Sequence, residues 1–143
     1  PRVPILLGAL APSPGPGAAP GINARAGFQV ALDELNAAGG IDGRTVALLT
    51  EDDQYDASIA LQAARRLNEE REVFAFASGI GTPNFVGVLP YIKENGIPSI
   101  GPYAPSNQVG AMENPDVFMT WPNFIHEFPV GMTYALESAE PPT

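Results

Sequence analysis

The sequence predicts an α/β fold, a doubly wound and mainly parallel sheet with helices on both faces. Short apolar runs alternate with segments whose apolar residues recur at helical spacing, and this unit occurs three times in succession. The runs are apolar at nearly every position, which is typical of strands covered on both faces. Crossovers in such a sheet are right-handed, and ligands bind at the carboxyl ends of the strands, so the loops there are the expected functional segments.

The first unit pairs an apolar strand with a long amphipathic helix. Residues 3–10 form the predicted strand, and residues 11–17 are rich in Pro and Gly, which interrupt regular structure. A helix is predicted from Ile22, and Gly39 and Gly40 follow it as a left-handed stop signal. Its apolar side is predicted to carry Phe28, Ala31, Leu32 and Leu35.

The second unit has an acidic run at the end of its strand. Residues 45–50 are the predicted strand, and Glu51, Asp52 and Asp53 follow it. Asp56 is the predicted N-cap of the next helix, which places Ala60, Ala63, Ala64 and Leu67 inward. No His or Cys lies near the acids in the sequence, so we interpret them as a solvated strand end or helix cap and not as a metal or acid–base site.

The third unit contains the most informative loop. Residues 73–77 are the predicted strand and 78–81 a glycine-containing loop, followed by Thr82 as N-cap and Pro83 as first helical residue. Such a helix start offers free N–H groups and a positive dipole end to a carboxylate. The alternative is an ordinary capped helix that binds nothing. The helix is predicted to pack inward through Phe85, Val88, Leu89 and Ile92 and to stop at Asn95 and Gly96.

Two short strands and one helix complete the chain. Residues 97–100 and 117–120 are the predicted strands, and a helix begins near Asn123; Pro90 and Pro129 fall inside proposed helices. The loop after the fourth strand carries Tyr103, Ala104, Pro105 and Ser106. This loop either presents an aromatic wall and a hydroxyl to a ligand or is simple packing.

Composition excludes several classes of function. The formal charge is −9, which repels phosphate backbones and excludes nucleic acid as a partner. The chain has no Cys and a single His, His126, so neither a thiol nucleophile, a zinc cluster nor a catalytic triad is predicted. The glycine-rich segment 15–21 is too long and too rich in Pro for a dinucleotide loop. We therefore expect no enzyme, no cofactor and no metal.

Five segments together resemble one family. They read DELNAAGGIDGR at 33–44, DDQYD at 52–56, ARRL at 64–67, GIGTP at 79–83 and NGIP at 95–98. In order and spacing they are similar to the type I periplasmic binding proteins of the leucine/isoleucine/valine class. The resemblance implies a two-lobed receptor of an ABC importer, which closes around a small amino acid or related carboxylate and docks on permease subunits.

The same resemblance implies an incomplete receptor and an extracytoplasmic location. Residues 1–121 correspond to the N-terminal part of the first lobe, and 122–143 to the crossover and first helix of the second. The remainder of the receptor or a complementary chain would supply the rest. The protein is expected to be exported to the periplasm or cell surface, with or without a lipid anchor. The alternative function is a ligand-sensing regulatory domain of the same fold, similar to amide sensors.

The resemblance also implies which residues bind the ligand. The loop after the third strand, with Ser78, Gly79, Ile80, Gly81 and Thr82, would hold the ligand carboxylate. In the loop after the fourth strand, Tyr103 and Ala104 would face the ammonium, and Ser106 would replace Pro105, which has no polar side chain. Ser13 is the side-chain donor of the first loop. Because Pro105 departs from the family pattern, an aromatic or non-amino-acid carboxylate becomes an alternative ligand.

Overall fold

Parallel strands and covering helices alternate along the chain. The computed structural model describes residues 2–13, 15, 17–109 and 115–138. Within these ranges the strands are β1 Ile5–Leu10, β2 Val46–Glu51, β3 Ala75–Gly79, β4 Ser99–Ile100 and β5 Val117–Phe118. The helices are α1 Ala18–Ala37, α2 Ala57–Arg65 with a π-helical continuation Arg66–Glu70, α3 Thr82–Asn95 and α4 Phe124–Ser138.

The strands form one sheet in the order β2-β1-β3-β4-β5. Every strand pair in the described ranges is parallel, and the pairing of β1 with both β2 and β3 confirms the predicted topology. The chain moves from β1 outward to β2 and then back across β1 to β3. Right-handed crossovers therefore place α1 on one face of the sheet and α2 and α3 on the other.

The core lies mainly between the sheet and the paired helices α2 and α3. The predicted inward residues of these helices are buried, namely Ala60, Ala63, Ala64, Leu67, Phe85, Val88, Leu89 and Ile92. Helix α1 follows its predicted apolar stripe only partly: Leu32 is buried, Phe28 and Leu35 are half-buried and Ala31 is exposed. The reason is position, since α1 packs chiefly on β2 at the edge of the sheet.

Local capping chemistry sets three helix ends as predicted. The Asp56 carboxylate accepts hydrogen bonds from the Ser58 and Ile59 N–H groups at 2.8 and 3.0 Å, which confirms it as the N-cap of α2. Gly40 and Gly96 adopt φ of +73° and +60° after α1 and α3, as expected of glycine stops.

Several predicted boundaries were wrong. Helix α1 begins at Ala18 and not at Ile22, and strands β4 and β5 are shorter than predicted. Strand β3 ends at Gly79 and not at residue 77, because an extra residue is accommodated between its pairings with Gly8 and Leu10 of β1. Ser78 takes a φ of +67° there, so the start of the predicted loop belongs to the strand. Helix α3 is capped by Gly81 at φ +104°, without a side-chain hydrogen bond, and Thr82 is its first helical residue.

Helix α4 stands apart from the core. It contains Pro129, as predicted, and none of its described residues is buried. Its exposed apolar side chains are Phe124, Ile125, Phe128, Val130, Met132, Tyr134 and Leu136. No helix in the described ranges has the length and apolar character needed to cross a bilayer.

Candidate functional site

The candidate site is the carboxyl edge of the sheet, where the strand order changes direction between β1 and β3. The loops after β3 and β4 are joined there, because the Tyr103 N–H donates to the Gly79 carbonyl at 2.7 Å and the Gly81 N–H donates to the Tyr103 carbonyl at 3.2 Å. The loops after β1 and β2 are joined by the Ser13 N–H, which donates to Asp52 Oδ1 at 3.0 Å. The Ile80 N–H donates to the Leu10 carbonyl at 3.1 Å and so links the end of β1 to the loop after β3.

A main cleft of about 450 Å³ lies between these loops and the start of α4. Small-molecule sites commonly have volumes of about 300–1,000 Å³. The cleft combines aromatic rings with the Thr82 hydroxyl and the Glu127 carboxylate. Its lining residues are Gly17, Pro20, Tyr55, Ile80, Gly81, Thr82, Tyr103, Pro105, Trp121, Phe124 and Glu127.

Two further depressions adjoin the main cleft. One of about 220 Å³ shares Pro20, Ile80 and Tyr103 with it and reaches Ser78. A broader one of about 850 Å³ shares Thr82 and Pro105 and reaches Ser106. Thr82 therefore faces the two larger spaces.

Tyr55 forms one wall of the cleft, and the sequence analysis did not select it. A Cβ added at Gly81 would lie 2.6 Å from the Tyr55 ring, and one added at Gly17 would lie 3.1 Å from it. Glycine at both positions therefore admits the ring. These contacts join the loops after β1, β2 and β3, so no local pattern in the sequence predicts them.

Trp121, Phe124 and Glu127 were also missed by the sequence analysis. Trp121 packs edge-to-face against Tyr103, with ring centroids 5.6 Å apart and an interplanar angle of 72°. Phe124 and Glu127 belong to the first turn of α4, which follows directly on this pair. Their only sequence signal was a concentration of aromatic residues after β5.

The start of α3 provides the hydrogen-bond donors of the cleft. The first intrahelical bond runs from the Phe85 N–H to the Gly81 carbonyl at 3.0 Å, so the first-turn N–H groups of Thr82 and Asn84 have no intrahelical partner. The N–H groups of Ile80 and Gly81 donate instead to the carbonyls of Leu10 and Tyr103. Thr82, with its N–H and hydroxyl, is the donor of this loop that lines the cleft.

The remaining predicted site residues lie around the cleft. Gly79 and Ala104 are buried, Ser13 is half-buried, and none of the three lines the main cleft. The Ser106 hydroxyl accepts a hydrogen bond from the Gln108 N–H at 3.2 Å. Ile80, Gly81, Thr82 and Tyr103 are the predicted residues that the fold brings to the main cleft. Ligand contact by all nine predicted residues stays a prediction.

Asp53 and Asn84 form a buried polar pair beneath the loops. The prediction of a solvated acidic strand end was wrong for Asp53, which is 0% exposed, and Asn84 is 2% exposed. Asp53 Oδ1 accepts a hydrogen bond from the Tyr55 N–H at 3.0 Å, but its Oδ2 and both polar side-chain atoms of Asn84 have no partner meeting hydrogen-bond geometry. Burial raises the pKa of the Asp53 carboxyl, and the nearby Asn84 amide and Tyr55 N–H offset part of that rise.

Replacing Asp53 with asparagine is expected to raise the free energy of unfolding at pH 7 by about 1–3 kcal/mol, because it removes a buried charge whose Oδ2 has no hydrogen-bond partner. A raised folded-state pKa means that ionised Asp53 destabilises the native state above that pKa. The gain should shrink as the pH falls through the raised pKa toward the ordinary value. Denaturant titrations of both proteins from pH 4 to 8 measure it, and a less stable variant at pH 7 would contradict the prediction.

No group of three His, Cys, Asp or Glu residues suited to a metal ion occurs among the described residues. The lining likewise includes no nucleophile paired with a base. The arrangement can bind a small molecule through aromatic faces, a helix start and one carboxylate.

Comparison with known sequences identifies the family of the chain. A family model described as periplasmic binding protein matches residues 4–140. The Leu/Ile/Val-binding protein homolog 3 of Brucella melitensis is 30% identical over 119 residues, which are 81% of this chain and 31% of the relative. The Leu/Ile/Val-binding protein BraC3 of Rhizobium johnstonii is 34% identical over 103 residues, 70% of this chain and 27% of the relative. The chain thus spans less than a third of these relatives.

Solved structures share the fold. A substrate-binding periplasmic protein of Ralstonia solanacearum superposes with a TM-score of 0.86 at 24% identity, covering 93% of this chain and 38% of that one. The branched-chain amino acid transporter substrate-binding protein of Streptococcus pneumoniae, in complex with isoleucine, gives a TM-score of 0.74 at 24% identity. The match covers 84% of this chain and 34% of that one. At this identity the likeness establishes the fold alone.

Proposed function

Because this chain belongs to the periplasmic binding proteins of the leucine/isoleucine/valine-binding class, we propose that it provides the first lobe of a receptor for a small amino acid or related carboxylate. The family consists of extracytoplasmic, non-enzymatic substrate-binding proteins of ABC transporters. The observation that carries the proposal is the main cleft, which opens at the switch point of the sheet beside the first turn of α3.

The start of α3 supports the carboxylate half of the proposal. Thr82 brings an N–H group, a hydroxyl and the positive end of the helix dipole to the cleft. Anions are stabilised at helix starts by free N–H groups and the dipole together. Because the Ile80 and Gly81 N–H groups bond within the protein, Thr82 carries more of the proposed carboxylate contact than Ser78, Gly79, Ile80 or Gly81.

The rest of the pocket and the partners also belong to the proposal. The second lobe would close over the cleft by a hinge motion and complete the binding site. ABC permease subunits would recognise the closed receptor outside the cytoplasm. The exposed apolar side of α4 is consistent with cover from further protein in the complete receptor.

A thermal-shift screen of the protein carrying this chain tests the receptor function. The panel contains branched-chain amino acids, aromatic acids, amides and urea-like compounds. A ligand at about 100 times its Kd should stabilise the native state by about 2.7 kcal/mol, since it binds that state alone. At least one carboxylate should raise the melting temperature by several degrees. If no compound changes the melting temperature, a receptor for these classes of compound is ruled out.

A further inference from the structure

The main cleft has an unusually aromatic lining. Four aromatic side chains face it and remain open to solvent: Tyr55 is 40% exposed, Tyr103 45%, Trp121 47% and Phe124 62%. Single exposed apolar side chains are ordinary, whereas several that line one cleft form a patch of the kind found at binding sites. Their convergence on one cleft from three separate loops and a helix indicates that these rings meet a ligand group.

The one formal charge that the described part of the chain brings to the lining of the cleft is negative. Glu127 is the charged side chain of the lining, and no Lys, Arg or His occurs among the described residues that line it. The faces of aromatic rings carry the negative part of the ring quadrupole and attract cations, Trp most strongly. Rings and carboxylate therefore both favour a positive group.

The lining offers a primary ammonium the Glu127 carboxylate and the hydroxyls of Tyr55, Thr82 and Tyr103 as acceptors, but its ring faces and proline side chains offer no acceptor. Such a group has three N–H donors to satisfy, as in Lys. Pro20 and Pro105 contribute no polar side-chain atoms to the cleft, and the Tyr103 carbonyl already accepts the Gly81 N–H. An ammonium whose hydrogens are replaced by methyl groups needs no acceptor and contacts ring faces directly.

We propose that the main cleft takes a betaine-type ligand, in which a quaternary ammonium packs among Tyr55, Tyr103, Trp121 and Phe124 near Glu127 while a carboxylate binds at Thr82. This inference rests on the proposed receptor function and specifies its substrate class. A flat aromatic acid would also contact the rings, but it gains nothing from Glu127. A primary amino acid would also pair with Glu127, but any of its N–H groups that faced the rings would be desolvated.

Isothermal calorimetry on the protein carrying this chain tests the substrate class with two probes of the same shape. One is trimethylglycine; the other is tert-butylacetic acid, in which a carbon replaces the charged nitrogen. Trimethylglycine should bind at least about tenfold more tightly, because only it carries the positive charge. The Glu127→Gln variant should lose several-fold in affinity for trimethylglycine and keep its affinity for tert-butylacetic acid. Trp121→Leu should have the same selective effect, so the inference can still be tested if Glu127→Gln does not fold.

Leucine and benzoate, titrated in parallel, separate the two levels of the proposal. Equal affinity for the two matched probes, or tighter binding of leucine or benzoate than of trimethylglycine, overturns the betaine inference and leaves the receptor function standing. Absence of binding by all four compounds overturns the betaine inference. If, in addition, no compound of the thermal-shift panel changes the melting temperature, the receptor function is overturned as well.

Discussion

Replacing Gly40 with alanine is expected to lower the free energy of unfolding by about 2–5 kcal/mol, a large part of the stability of a typical domain. Gly40 follows α1 at φ +73°, where a side chain is strained. A Cβ there would lie 2.0 Å from the Arg44 carbonyl oxygen. That oxygen belongs to the backbone and accepts the Ile41 N–H at 2.9 Å, so it cannot move without breaking the turn into β2.

Gly43→Ala is the matched control for Gly40→Ala. Gly43 has the same φ of +73°, but a Cβ added there meets no atom within 4 Å. It should therefore cost only the backbone strain, about 1–2 kcal/mol. Denaturant titration of the two variants beside the parent protein separates strain from collision. Equal losses in the two variants would show that the contact with Arg44 is relieved at no cost.

Replacing Thr82 with alanine is expected to weaken binding of the ligand identified in the thermal-shift screen by one to two orders of magnitude. The reason is loss of a hydroxyl donor to the proposed ligand carboxylate, since charge-assisted hydrogen bonds contribute about 1.5–3 kcal/mol each. Thr82 is the first residue of α3 and makes no capping bond, so its removal takes nothing from the helix. The melting temperature of the unliganded protein should be unchanged.

Thr82→Ser is the control, because it keeps the hydroxyl and should bind the ligand almost as the parent does. Calorimetry and thermal denaturation on the same two variants distinguish a binding role from a structural one. An alanine variant with parental affinity and a lowered melting temperature would make Thr82 a structural residue only.

The cleft shows how a site can be hidden from sequence patterns. Tyr103 was predicted from its position in a loop after a strand, and it lines the cleft. Tyr55 was not, because its ring is placed by Gly17 and Gly81, which lie far from it in the sequence. Trp121 is placed by its edge-to-face contact with Tyr103, again between separate loops.

The environment and pKa of Asp53 were likewise not predictable from the local sequence. Three consecutive acids after a strand indicate solvent exposure, and Asp52 and Glu51 keep partial exposure. Asp53 is buried and interacts with Asn84 of the first turn of α3. The change in its environment, and with it the raised pKa, comes from the packing of α3.

The sequence by itself determined the alternation of strands and helices, the parallel sheet, the Asp56 cap and the glycine stops after α1 and α3. These features depend on apolar periodicity and on hydrogen bonds between residues only a few positions apart. Tertiary structure alone decided where β3 ends, that Asp53 is buried and that the Gly81 N–H donates to the Tyr103 carbonyl. It also decided that Tyr55, Tyr103 and Trp121 line one cleft. Each of these depends on contacts between distant strands and loops, whose register and spacing are set only when the sheet is assembled.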